Sequence, residues 1–361
     1  MATPARYAFP VGPIRPPSEG GSASLLIQVT RNCHWNRCGF CRLYRGERFE
    51  LRSPAEVKAD IDAIAAICTE LRAVSDEMGR GGGIDREVAL AFLEREPALR
   101  TGHEFPLVYQ WLLSGGRTAF LQDANTLIMP APRLVEILEY LRGTFPSLVR
   151  VTSYARAKTL CQKEPEDLAR VRAAGLDRLH VGLESGDDEV LAHVDKGITG
   201  AGHIQAGRRA RAAGFQLSEY WMPGLGGREL SEQHVRNTAR VLNEISPDYI
   251  RTRPYLSLPG TELHAAAERG EFEPLGPLEQ LFEVRRCVAA LEVTARVCFD
   301  HCANDWRAPD GVLLLRQDYE GYQFPAEKPA LLARIDAGLS RDPGLRPAPG
   351  AGQRARTRAG A

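Results

Sequence analysis

The sequence has no long apolar run. Nothing in it approaches the ~20 consecutive apolar residues of a membrane-spanning helix. The stretch from Met1 to Pro17 also lacks the apolar core of a secretory signal. A cytoplasmic location is expected. An excess of charge of one sign is missing too, since Lys plus Arg equals Asp plus Glu at 46 each. No global field draws the chain to nucleic acid or anionic lipid, and neither is expected as a partner. Cysteine is scarce, at eight in 361 residues. That is too few for a disulfide scaffold, and in a reducing compartment a tight group of thiols points to metal or redox work. Three of the eight lie within nine residues, and the other five are scattered. The remainder, 43% apolar and 25% charged, is an ordinary globular composition.

Residues 1–22 are rich in Pro, Gly and Ser without periodicity and read as an extended arm. Residues 341–361, rich in Pro, Gly, Ala and Arg, read as a disordered, solvated tail. Between these ends strands alternate with helices. Leu25–Thr30 is a short β-branched apolar run typical of a buried parallel strand. Ser53-Pro54-Ala55-Glu56 supplies an N-cap, a proline at the first helical position and a capping-box glutamate. The helix that follows puts Val57, Ile61, Ile64, Cys68 and Leu71 on one face, which makes Cys68 a core residue. A helical insertion is expected at about 72–117. Further strands are expected at 118–122, 148–153, 178–183, 215–221 and 249–253, with helices at about 132–142, 165–174, 201–213 and 231–245. Gly175 and Gly214 stand where helix C-caps would fall.

Six βα units imply an α/β fold: a partial, TIM-like (β/α)6 barrel of parallel strands with helical decoration and a C-terminal extension. The core is expected over 23–305, the extension over 306–340. Sites in such folds lie at the C-terminal ends of strands. Polar or glycine-rich segments do follow the strands: the cysteine group, Asp123-Ala124-Asn125-Thr126, Ser153-Tyr154-Ala155-Arg156, Glu184-Ser185-Gly186 and Pro223-Gly224-Leu225-Gly226-Gly227. The last of these is no nucleotide-phosphate loop, because it has neither G-K-[ST] nor a G-x-G-x-x-G opening a helix.

Cys33-His34-Trp35-Asn36-Arg37-Cys38-Gly39-Phe40-Cys41 has the spacing C-x4-C-x2-C. Three thiolates from one short loop can bind three irons of a cubane and leave the fourth open to an external ligand. Zinc is the competing reading. It wants four ligands in one tetrahedron, and only His34, or the distant His301 or Cys302, is on offer as the fourth. Phe40 can shield a cluster or support an adenine ring.

The segment V-T-R-N-C-H-W-N-R-C-G-F-C-R-L-Y-R-G-E-R-F resembles the cluster loop of the radical S-adenosylmethionine (SAM) superfamily, with one residue more than usual in the first interval. With F-L-Q-D-A-N, S-Y-A-R, V-G-L-E-S-G, S-E-Y-W-M-P-G-L-G-G-R-E and R-P-Y-L-S-L-P-G-T-E-L in order, residues 24–305 resemble a bacterial branch of Fe–S oxidoreductase-like proteins. The resemblance implies a [4Fe–4S] cluster on Cys33, Cys38 and Cys41 and bound SAM, cleaved reductively to a 5′-deoxyadenosyl radical. It also implies an electron donor such as flavodoxin or ferredoxin. Asp123 and Asn125 stand where relatives meet the methionyl amine, although an Asx turn would explain them equally. Arg156 can pair with the methionyl carboxylate or lie on the surface. Glu184 can meet the ribose hydroxyls or the amino group, and Gly224 and Gly226 can let backbone approach the adenine or form a plain turn.

Catalytic roles are open, with Tyr44, His301 and Cys302 as candidates, and Cys287, Cys298 and Cys302 as possible holders of a second cluster. Tyr44, Arg45 and Arg48 can contact an anionic substrate or cover the barrel mouth. A cobalamin-dependent methyltransferase is disfavoured, because only about 24 residues precede the first strand and an added binding domain takes ~100. A small-molecule substrate is expected. Alternatives are a zinc-stabilised binding or regulatory protein, or a cluster enzyme transferring the aminocarboxypropyl group of SAM.

Overall fold

The computed structural model describes residues 3–14, 24–308 and 310–340. The expected tail at 341–361 and the parts of the arm at 1–2 and 15–22 lie outside the described residues. The strands are β1 (Leu25–Gln28), β2 (Thr30–Arg31), β3 (Glu50–Leu51), β4 (Thr118–Gln122), β5 (Arg150–Ala155), β6 (Arg178–Glu184), β7 (Gln216–Trp221), β8 (Tyr249–Thr252), β9 (Arg296–Cys298) and β10 (Tyr322–Gln323). The helices are α1 (Pro54–Glu77), α2 (Arg86–Arg95), α3 (Glu104–Leu113), α4 (Ala131–Thr144), α5 (Ala157–Gln162), α6 (Pro165–Ala173), α7 (Asp188–His193), α8 (Gly200–Ala212), α9 (Gly227–Ile245), α10 (Glu262–Glu268), α11 (Pro277–Ala290) and α12 (Lys328–Leu339).

One sheet runs in the order β1-β4-β5-β6-β7-β8-β9-β10. Its pairings are parallel up to β9, and β10 adds antiparallel at the far edge. β1 and β10 do not pair with each other, so the barrel stays open. The six expected parallel strands are present, and β9 continues the sheet where residues 295–299 look strand-like. β2 and β3 form a separate antiparallel pair at the two ends of the cysteine loop.

Period-two alternation sorts the two faces of the sheet. Ile27, Leu121, Val151, Leu179, Leu217, Ile250 and Val297 join the helices in one core. The opposite, inner face carries Phe120, Tyr154, His180 and Tyr220, with successive ring centroids 5.4–5.6 Å apart. Also on that face, the Arg178 and Arg251 guanidiniums lie over Tyr249 at 4.5 and 5.0 Å. Tyr319, from the C-terminal extension, stacks with both.

The α1 cap is as expected. Ser53 accepts the Glu56 N–H at 3.2 Å and the Glu56 carboxylate accepts the Ser53 N–H at 2.8 Å. Cys68 is buried in the core face of that helix. Gly175 and Gly214 follow helix ends with φ of +108° and +84°.

Several boundaries differ from expectation: the first strand ends at Gln28, with Thr30 in the separate β2, and the helix expected from 231 begins at Gly227. α1 continues to Glu77, so residues 72–77 belong to it rather than to the insertion. The third parallel strand runs 150–155, two residues later than the apolar run implies. Leu148 closes a turn onto the Phe145 carbonyl, Val149 is exposed, and pairing with β4 begins at Thr118↔Arg150.

Residues 3–14 of the arm are packed rather than free. Tyr7 and Phe9 are buried, and the Gly12 N–H donates to Gln122 Oε1 at 3.0 Å.

Candidate functional site

The cysteine loop sits beyond the C-terminal end of β1 and is held from beneath and from within. From beneath, Gly39 donates to the Val194 carbonyl at 2.8 Å and accepts from the Leu263 N–H at 3.0 Å. Phe40 packs into a small apolar cluster with Val190, Val194, Met222, Leu225, Tyr255, Leu263 and Phe272. Trp35 donates to the Asp195 carbonyl at 2.6 Å, and its ring lies against Gly197, where a Cβ would come within 2.4 Å of it. From within, the Arg45 guanidinium donates to the carbonyls of Asn36, Arg37, Cys38 and Cys41 at 2.9–3.2 Å. Asn32 and Asn36 adopt left-handed backbone (φ +66° and +47°), which asparagine tolerates better than most side chains.

Cys33, Cys38 and Cys41 are half-buried and free of disulfides. The Asn36 N–H points to Cys33 Sγ at 3.5 Å. Burial pushes the Cys38 thiol up, while the Lys196 and Arg156 charges pull it down. Among the described residues no three His, Cys, Asp or Glu side chains are placed to hold one metal ion. A cubane does not require that convergence, because each thiolate binds a different iron, whereas a zinc tetrahedron does.

Arg156 is no surface residue. It is buried just past β5, lies 4.5 Å over the Trp35 ring and donates through Nη2 to the Lys196 carbonyl at 2.5 Å. Its Nη1 is buried without a partner. Glu184, at φ +62°, accepts from Lys196 Nζ at 2.9 Å, both side chains largely buried. A Cβ at Gly182 would lie 2.2 Å from the Glu184 carboxylate, so that glycine makes room for it. Lys196 Nζ also lies 5.9 Å from the Phe40 ring centroid. Arg156, Glu184 and Lys196 thus surround Cys38, and sequence reasoning missed Lys196. Nothing in Asp195-Lys196-Gly197 marks it as buried, because burial comes from α7 folding back over the loop.

Asp123 is fully buried. Its Oδ2 accepts from Gln28 Nε2 at 3.0 Å and from the Asn32 N–H at 3.1 Å, while Oδ1 has no hydrogen-bond partner. Burial holds its carboxyl above the usual range. Asn125 is spent on the scaffold: it accepts the Arg156 N–H at 2.9 Å and donates to Thr159 at 2.9 Å, with His34 Nδ1 at 3.3 Å. Burial, with the Arg156 charge second, lowers the His34 imidazole to about 4.

Tyr44 is buried behind the loop near Asp123, not at an open mouth. Ser185 and Gly186 anchor β6 on α9, through His234 at 2.8 Å and Thr238 at 2.9 Å. At Gly224 the space a Cβ would take is filled by Gln280, and at Gly226 by His234 and Leu230, so packing accounts for both glycines.

The C-terminal candidates do not gather. Cys287 is buried in α11, Cys298 is buried in β9, and Cys302 is exposed in a turn. His301 is half-buried and accepts the Ala303 N–H at 3.1 Å. Asp300 instead pairs with the fully buried Arg251 at 2.7 Å.

An open parallel barrel whose first strand delivers a three-cysteine loop to the ends of the other strands defines an iron–sulfur enzyme class. Residues 27–242 match the model of the Radical SAM superfamily, and the chain belongs to that superfamily. It is an enzyme of the radical type that works with a [4Fe–4S] cluster and SAM, and it needs an electron donor and a substrate. No described helix is long and apolar enough to cross a membrane. Curated relatives include the tRNA uridine(34) acetyltransferases of Methanocaldococcus jannaschii (25% identical over 134 residues) and Methanocaldococcus infernus (26% over 133). Each match takes in 35% of this chain and 25% of the relative. Similar solved structures include coproporphyrinogen III oxidase of Escherichia coli (15% identity, TM-score 0.43, 79% of this chain and 54% of that one). Methylornithine synthase is another (16% identity, TM-score 0.44, 89% and 84%).

Proposed function

We propose that Cys33, Cys38 and Cys41 hold the three protein-ligated irons of the cluster and that SAM lies between them and the ends of β4–β7. When bound, the pair supplies reductive cleavage of SAM to a 5′-deoxyadenosyl radical that takes a hydrogen atom from a small-molecule substrate. The observation that carries this reading is the ring of unsatisfied or charged groups beside Cys38. The orphaned Nη1 of Arg156 is a donor suited to the methionyl carboxylate, and the Glu184–Lys196 pair offers both an acceptor and a cation. The Arg156 Nη1 is a buried polar atom that costs free energy until a ligand meets it. Phe40 and Trp35 wall the site against water. Residues 23–305 make up the catalytic core in this reading, and 306–340 close the far edge of the barrel. A flavodoxin or ferredoxin is the donor in this reading.

Anaerobic reconstitution tests the proposal. The protein should take up about four irons per chain, absorb in the visible and bleach on reduction, and Cys38→Ala should abolish that uptake. A colourless protein holding one tight zinc sinks the reading. Identifying 5′-deoxyadenosine as the cleavage product separates it from aminocarboxypropyl transfer.

A further inference from the structure

The inner face of the barrel carries side chains that the cluster and SAM do not use. Register puts Tyr154, His180, Ser218 and Tyr249 in one layer across β5, β6, β7 and β8. Phe120 and Tyr220 flank that layer, and the rings from Phe120 to Tyr220 meet edge-on or tilted. Such a wall offers ring faces and edges to a planar guest. Tyr154 is only half-buried, so the layer is not sealed.

Arg251 enters this layer from β8. Its backbone pairs at the level of Tyr220, and its side chain runs back to the Ser218 hydroxyl, which accepts from Nε at 3.2 Å. Nη1 donates to Asp300 at 2.7 Å. Nη2 has no partner among the described residues, although Arg251 is fully buried. A guanidinium carries five N–H donors, and the two on Nη2 are left over. An arginine kept only to knit β8 to Asp300 would not leave a charged donor buried and unmet, at a cost of about 1–3 kcal/mol.

Tyr319 supplies a second unmet donor. It comes from the C-terminal extension and is half-buried as a residue, yet its hydroxyl oxygen is buried without a partner among the described residues. The ring therefore enters the barrel hydroxyl first. Its centroid lies 4.7 Å from Arg251 Cζ and 5.3 Å from Arg178 Cζ, so it limits the depth of the space beside them.

We infer that the substrate is a small aromatic acid, its carboxylate held by Arg251 and Tyr319 and its planar body lying against Tyr154, His180 and Tyr220. The inference rests on the reading of the strand ends as the SAM site, which leaves the barrel interior to the substrate. A guanidinium edge beside a phenol matches a carboxylate in shape and charge. A neutral guest would leave Nη2 unmet. A phosphate would meet the same two donors, and the test separates the two anions.

Calorimetric titration of the reconstituted, SAM-loaded full chain compares 2-naphthoate with 2-naphthamide and 2-naphthyl phosphate. The acid should bind, and the amide should bind about tenfold more weakly, because it cannot pair with the guanidinium. Tyr319→Phe removes one hydroxyl and keeps the ring, while Arg251→Lys keeps the charge beside Asp300. Each should weaken the acid about tenfold and narrow the preference for acid over amide. In Tyr319→Phe the iron content, SAM affinity and melting temperature should stay as they are. A merely structural role would move the melting temperature and leave the preference alone. Three results overturn the inference and leave the cluster reading intact: acid and amide bound equally, acid binding untouched in both variants, or no acid bound by a chain that holds its irons and SAM. Tighter binding of the phosphate overturns the carboxylate assignment. A chain that takes up no cluster, yet prefers the acid through Arg251, keeps the anion site and sinks the cluster reading instead.

Discussion

Arg45 shows how a single side chain can decide whether three cysteines make a site. A loop of nine residues has carbonyls that no ladder satisfies, and one planar guanidinium answers four of them. Because Arg45 is exposed, its removal should cost the fold only about 1–2 kcal/mol. Its larger effect should be on the loop: Arg45→Ala should lose iron on gel filtration and bleach faster in air than the unmodified protein. Arg45→Lys, which keeps the charge but not the fork, should recover little, and full recovery would show that charge alone matters.

Glu283 makes a separate case. It is buried under Gly224, whose N–H it accepts at 2.6 Å, and burial pushes its carboxyl up to about 7, against weaker pulls from Ser231, that N–H and Arg286 and a push from Glu279. The folded form therefore keeps a proton that the unfolded chain has lost between pH 4.5 and 7. That contribution to stability is full below this window and fades as pH rises through 7. Glu283→Gln, which keeps the acceptor, should flatten the decline in melting temperature between pH 5 and 8. It should stabilise the protein at pH 8 by roughly 3 kcal/mol at most. An unchanged slope would refute the shift. The sequence shows the cysteines because their spacing is local. It hides Lys196, Arg251 and Glu283, since only the fold decides that a charge is buried.

Elements were legible where the signal sits inside one element. The α1 capping box, its Cys68-containing face and the helix-ending Gly175 and Gly214 are all short-range patterns, and each is found as expected. The third parallel strand starts later than its apolar run implies, because Leu148 is apolar to fill the core ahead of the strand and Val149 is exposed, while pairing with β4 sets the true start at Arg150. V-G-L-E-S-G shows the same limit within one motif. Gly182 makes room for Glu184, yet Gly186 serves the packing of β6 on α9, where an added Cβ would lie 2.3 Å from the Asn237 carbonyl oxygen. Backbone on both sides cannot yield cheaply, so Gly186→Ala should destabilise by about 3 kcal/mol, read as a lower urea midpoint. Gly182→Ala, which meets the movable ends of Glu184 and Lys196, should shift the midpoint less and weaken SAM binding more. Equal midpoints for the two variants would refute the division.

The whole molecule joins its N-terminal arm to its cysteine loop through a carboxylate. Tyr7, Phe9 and Val11 alternate along the arm and face the core, a period-two signal that the surrounding prolines obscure. Phe9 is held by His103, whose Nε2 lies 2.7 Å from the Phe9 carbonyl oxygen. Gly12 then exchanges hydrogen bonds with Gln122 at 3.0 Å in both directions. This brings the Gly12 backbone against Asp123, where a Cβ would fall 1.9 Å from Oδ1. The other oxygen of Asp123 receives the N–H of Asn32, the residue before Cys33. Gly12→Ala must therefore displace the carboxylate that orients the start of the loop, although it lies far from the cysteines in sequence. A carboxylate can swing aside, so the cost to global stability should stay near 1–2 kcal/mol. The loop should suffer more, with iron retention after reconstitution falling well below that of Val11→Ala, which trims the same arm without touching Asp123. If both variants retain iron equally, the arm is a packing element only. If Gly12→Ala alone loses it, the N-terminal arm organises the cluster loop through Asp123.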